Sequence, residues 1–288
     1  MYPLTHRYDP HPHTNAVVKT GVISQAAGSA YVELAKTKVM CGVYGPRQPQ
    51  RVDGMEFGRG RLDVDVKLAT FATAGARGKV AQGDAEREFS QLVHRALAGA
   101  VILETFPKTS VDVYVTVLEA GGAELPAVVA AASAALTCAG VAMRDLVSAC
   151  TVTRNSTGGT GTDATTLLLD PGAKEEAEAD AGVTLAYMRT VGEATQVVAT
   201  GTWDGDTLDD AVQLAASGCA RVDAALAGKA LRLLAKDIDR INREIVLPRA
   251  IPLLQKDCGE DNAFYYEVDE RIEFCSEMVD TLRERARR

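Results

Sequence analysis

The sequence predicts an α+β fold of the kind in which mixed β-sheets pack with helices, followed by a C-terminal helical extension. Three features carry that expectation. Much of residues 17–66 reads as short strands broken by Gly and Pro, and Leu62 to Val66 alternates apolar and polar positions with period two. Two segments, 84–105 and 123–138, carry their apolar residues in helical fashion, with a strand-like run at 111–118 between them. A second strand-rich region then leads into a long helical stretch from residue 206.

Each element has a local reason. Gly21 to Gln25 reads as a strand, Gly28-Ser29 as its turn and Ala30 to Leu34 as the return. Lys38 to Tyr44 is a third strand, closed by Gly45-Pro46, and a loop spans Pro49 to Gly60. In 84–105, Leu92, Ala96, Gly99 and Leu103 fall on one helical face, and Pro107 stops the helix. Gly121-Gly122 breaks the chain before the Ala-rich helix 123–138, and Gly140 follows its end. Strands are expected at 148–153 and 166–170, and an antiparallel pair at 182–189 and 194–200. Asp206-Thr207 caps a helix running toward Val246, interrupted at Gly218 and Gly228 and ended by Pro248. From Val268 to Arg287, Ile272, Cys275, Met278, Val279 and Leu282 lie near one face of an amphipathic helix. The organisation read from this is an arm at 1–16, a domain at 17–247 and a helical extension at 248–288.

Composition narrows the function classes. With 47% hydrophobic and 24% charged residues, a largely disordered chain or a disulfide scaffold is excluded. The net charge of −8 argues against a free-standing nucleic-acid binder, so any RNA or DNA contact should be local or shared with partners. The clearest basic region before the C-terminal third runs from Arg47 to Lys79, and a solvated surface loop explains it equally well. Six scattered cysteines, with no CxxC pair and no neighbouring His, point to a reducing compartment and to no zinc or other metal. His6, His11 and His13 belong to a Pro-containing arm rather than a metal site. No cofactor motif is present, no apolar run reaches membrane-spanning length, and no signal peptide or membrane partner is expected.

Three segments go beyond generic physics. They are Gly21 to Glu33 with Thr37-Lys38-Val39 and Gly45-Pro46-Arg47, then Leu118 to Ala123, then Ala139 to Val147. In this order and spacing they resemble the RNase PH family over residues 17–245. Within that family the likeness is to ring subunits of the eukaryotic RNA exosome, of the mRNA-transport-regulator type. The resemblance implies a ring of six related chains around an RNA channel, with RNA-binding-fold cap proteins on one face and a separate nuclease beneath. It places the loops of Arg59, Arg61, Arg77 and Lys79 toward the channel, which makes these four the candidates for RNA phosphate contacts. It also implies a nuclear, nucleolar and cytoplasmic protein acting in 3′-to-5′ RNA processing and degradation.

Phosphorolysis needs a cradle for phosphate, a cation beside it and a carboxylate near the scissile bond. Active relatives carry Gly-Gly-Ser-Arg-Thr at the helix start. Here the stretch is Gly121-Gly122-Ala123-Glu124-Leu125, so the hydroxyl is gone and the cation has become an anion. The positions of the family's paired aspartates fall on Glu176 and Gly182, with Asp180 near enough for a shifted loop to supply a carboxylate. Asp84 and Ala85 stand where active chains carry two arginines. The expectation is therefore a degenerate site with no catalytic residue, in a structural ring subunit whose partners are the other ring chains, the caps and RNA in the channel. The alternative is an active phosphate-dependent 3′-to-5′ exoribonuclease in a homomeric ring.

Overall fold

A computed structural model describes residues 16–48, 58–73, 83–156, 165–244, 253–256, 263–266 and 271–275. The chain divides into two compact units, Met1–Leu226 and Ala227–Arg288.

The first unit opens with β1 (Val17–Thr20), β2 (Gly28–Leu34), β3 (Thr37–Arg47) and β4 (Arg61–Leu68), followed by α1 (Asp84–Ala98) and β5 (Ser110–Glu119). These strands form one sheet in the order β1-β2-β3-β5-β4. Only the β4–β5 pair is parallel, and α1 makes the crossover between them. The alternation is clean in β5, where Val111, Val113, Val115 and Val117 are buried and Tyr114 is exposed. After α2 (Glu124–Cys138) come β6 (Val147–Ser156), β7 (Thr165–Leu169), α3 (Ala173–Ala177), β8 (Ala181–Met188) and β9 (Glu193–Gly201). The four strands make an antiparallel sheet in the order β7-β6-β8-β9.

Helix α2 is buried at every position from Pro126 to Leu136. It packs on β2 and β3 of the first sheet and on β6 of the second, which is why it has no polar face. Its alanines let both sheets come close, and one main core runs through all three layers. The first half of helix α4 (Gly205–Glu244) packs on the other face of the second sheet, where Ala211 and Ala215 meet Val152, Leu167 and Leu185. Burial pushes the Cys41 and Cys150 thiols well up and that of Cys219 to about 12, so these cysteines stay protonated at neutral pH and act as small apolar groups.

Several elements depart from the sequence reading. Residues 21–25 are not a strand. The Ile23 N–H donates to Ser29 Oγ at 2.8 Å, so 21–27 forms the loop of the β1–β2 hairpin and Gly28 already belongs to β2. The strand expected to close at Gly45-Pro46 continues to Arg47, through a register shift against β5. Helix α1 ends at Ala98, and Leu103–Thr105 is a separate 3₁₀ turn. Gly218 does not interrupt α4. A Cβ there would strike the Cys150 side chain, so this glycine answers a packing demand from β6.

The second unit corrects the expected helical extension. It holds β10 (Leu253–Lys256), β11 (Ala263–Tyr266) and β12 (Arg271–Cys275). Strand β12 lies centrally, parallel to β10 and antiparallel to β11. Arg271-Ile272-Glu273-Phe274 alternates with period two, and that short signal prevails here over the helical spacing of Ile272 and Cys275. Residues 276–288, the rest of the expected helix, lie outside the described residues. The boundary between the units falls inside α4, at Leu226/Ala227, rather than at Pro248. Among the described residues no helix is long and apolar enough to cross a membrane.

Candidate functional site

The turn Gly121-Gly122-Ala123 joins β5 to α2, and the surrounding backbone dictates its glycines. A Cβ on Gly121 would lie 2.5 Å from Lys36 Cβ and 2.8 Å from the Lys36 carbonyl carbon. Gly122 has φ +104°, and a Cβ there would lie 2.7 Å from the Pro171 carbonyl oxygen. Ala123 is left-handed, with φ 50° and ψ 45°. Thr37, fully buried at the start of β3, holds the turn from one side. Its Oγ1 donates to the Gly122 carbonyl at 2.7 Å and accepts from the Gly121 N–H at 3.0 Å. The first residue of α3 holds it from the other, where the Ala173 N–H donates to the Gly121 carbonyl at 2.8 Å.

The free amides of this turn would suit an anion, because they open a helix N-terminus. The chain's own carboxylates take them. Gly122 N–H donates to Glu124 Oε1 at 3.3 Å, and Ala123 N–H donates to Glu176 Oε2 at 3.1 Å. Thus Glu124 and Glu176, read from the sequence as separate degenerate positions, meet at one place. A phosphate approaching to about 4 Å of one such carboxylate meets roughly 4 kcal/mol of repulsion at the effective dielectric near a protein surface.

Glu176 is exposed as a residue, yet its carboxylate reaches into the turn. Burial raises its pKa above the ordinary 4.5; the bond from Ala123 N–H opposes that, and the neighbouring Glu124 charge adds to it. A carboxyl raised in the folded state favours folding most below its unfolded pKa, and that contribution is lost as pH rises through the folded value. Glu176→Gln should therefore flatten the part of the stability–pH curve that begins near 4.5 and extends upward. At neutral pH the variant should lie within about 0.5 kcal/mol of the parent or above it. Thermal melts of both proteins across pH check this, and a difference curve without slope above 4.5 would refute the assignment.

Gly182 sits in β8, paired with Thr153 of β6 and Thr200 of β9, and brings no carboxylate. Asp180 stands just before β8, where its N–H donates to the Arg154 carbonyl at 3.0 Å. The cleft under the first turns of α2 is lined by residues such as Leu125, Val129, Ala149, Thr184, Gln196 and Val198, and none of its lining side chains is ionisable.

The basic candidates lie elsewhere. Arg61 pairs in register with Ser110 at the start of β5, whereas the cradle follows Glu119 at its end, about 30 Å along the strand. Arg59 Nη2 lies 2.8 Å from Glu104 Oε1, and Arg61 Nε lies 2.8 Å from Asp63 Oδ1. Both pairs are about half exposed, and such pairs contribute little to stability. Arg77 and Lys79 lie outside the described residues. At the start of α1, Asp84 pairs with Arg87 at 3.3 Å. Sequence reasoning missed the part of Thr37, which occurs in a recognised motif but reveals its contact only once β3 and the turn are juxtaposed.

Residues 15–142, which run from the first sheet through α2, match the RNase_PH model, described as the 3′ exoribonuclease family, domain 1. The chain is 37% identical over 200 residues to an Arabidopsis thaliana protein named exosome complex component RRP41-like, covering 69% of this chain and 73% of that one. It is 36% identical over 219 residues to the Mus musculus exosome complex component MTR3, covering 71% and 77%. The chain belongs to the RNase PH family. Solved structures agree on the fold. The rice Rrp46 crystal structure superposes with a TM-score of 0.64 at 20% identity, covering 75% of this chain and 94% of that one. A chain of the Archaeoglobus fulgidus exosome with RNA bound to the active site gives 0.58 at 23% identity, covering 75% and 90%. Residues 221–288 match a second family model, DUF4344, described as a putative metallopeptidase.

Proposed function

We propose that this chain is a non-catalytic subunit of an exosome-type RNase PH ring, where it completes the ring and contributes to the walls of the RNA path. The observation that carries this reading is the occupation of the turn amides by Glu124 and Glu176. Phosphorolysis requires phosphate where these carboxylates stand, and no cation replaces the lost arginine within the Gly121–Leu125 stretch. The relatives named exosome complex components support the ring context. Other RNase-PH-like chains are the expected ring partners, RNA-binding-fold proteins the expected caps, and Arg59 and Arg61 the described residues offered to RNA phosphates.

The test has two arms. The tagged chain, purified from its own cells, should bring down other RNase-PH-like chains in near-equal amounts. The chain alone, given polyadenylate and inorganic phosphate, should release no nucleoside diphosphate above background. Release that depends on phosphate and is lost in Glu176→Gln or Asp180→Asn would overturn the proposal in favour of the homomeric enzyme.

A further inference from the structure

The match of residues 221–288 to a putative metallopeptidase family implies a catalytic metal in that part of the chain. Peptidase metals are held by sets dominated by histidine, most often the two histidines of HExxH on one helix face with a third ligand elsewhere. The donor set here does not fit. The four histidines of the chain are His6, His11, His13 and His94, and none lies between 221 and 288. That segment offers carboxylates and two cysteines, Cys258 and Cys275, with no CxxC pair. Among the described residues, register in the small sheet sets no two cysteine or carboxylate positions opposite one another. Glu273 stands opposite Leu254 on one side and Phe264 on the other, and Cys275 stands opposite Lys256. Among the described residues no three His, Cys, Asp or Glu gather in one place.

We infer that residues 221–288, despite the match, hold no metal centre and cleave no peptide bond. The inference is independent of the ring proposal, because it rests on a different part of the chain and a different chemistry.

Metal content tests it directly. The full chain and the variant H6A/H11A/H13A, which silences the terminal arm, are incubated with zinc, dialysed and assayed by mass spectrometry of the metal. The arm variant should retain less than about a tenth of an equivalent, because without a histidine set the affinity falls far below that of zinc sites. Zinc retained by the parent and lost in the arm variant would place it on the arm and uphold the inference. One equivalent retained by the arm variant and lost on Cys258→Ser or Cys275→Ser would overturn it. Chelator-sensitive cleavage of a fluorogenic casein by the parent chain would also overturn it.

Discussion

Replacing Thr37 by valine should cost the N-terminal unit about 3 kcal/mol. The substitution keeps the shape of the side chain and removes only its hydroxyl. Two backbone groups then lose their partner, the Gly122 carbonyl at 2.7 Å and the Gly121 N–H at 3.0 Å. Thr37 is fully buried, so water cannot easily replace it, and each orphaned group costs about 1–3 kcal/mol. Trp203, the single tryptophan, packs on Arg154 with the guanidinium 5.5 Å from its ring centroid and reports unfolding of this unit by fluorescence. Urea titration should shift the midpoint with the slope unchanged. Thr37→Ser keeps both bonds and loses one methyl, so it should cost about 1 kcal/mol. A valine variant within about 0.5 kcal/mol of the parent would show that the hydroxyl does not pin the turn.

Gly28→Ala should be as damaging, for a different reason. Gly28 lies in β2, against the C-terminal end of α2. A Cβ there would overlap the Ala139 N and the Ala135 carbonyl oxygen, and would lie 2.6 Å from Ala139 Cα. These are backbone atoms of the last turn and C-cap of α2, which the packed helix holds in place, so there is little room for either side to yield. Overpacking against mobile side chains costs about 1–3 kcal/mol, and a rigid backbone puts this case at the upper end or beyond. The same Trp203 titration measures it. Gly83→Ala is the control, since a Cβ there meets nothing within 4 Å. A Gly28→Ala protein as stable as the control would mean that helix and sheet do not pack this closely.

Much of the fold was legible because its signals are local. The valines of β5 and the Leu62–Val66 alternation announce strands that the structure contains. Helix α2 was legible as a helix from its alanines and its Gly-Gly start, though not that sheets would cover it on both sides. Other local signals misled. Gly21 to Gln25 has strand-like composition, but the Ser29 hydroxyl captures the Ile23 amide and turns the chain. The apolar residues of 268–287 can be laid on a helix as well as on a strand. Pairing with Leu253–Lys256 and Ala263–Tyr266 settles residues 271–275 as a strand, and no local pattern contains that information.

The candidate site divides in the same way. By itself the sequence determined the residue types at the helix start: Ala123 and Glu124 stand where the resemblance leads one to expect a hydroxyl and a cation. It also determined where a helix N-terminus would stand, because Gly121-Gly122 is a local break. Only the tertiary structure decided which groups meet the turn amides. The bond from Ala123 N–H to Glu176 spans 53 positions, and Thr37 reaches Gly121 across 84. Such contacts exist only after the entropy of closing long loops has been offset by the packing of both sheets on α2. Helical and strand periodicity is written in neighbouring residues, whereas a carboxylate finds an amide half a domain away only through the fold that carries both.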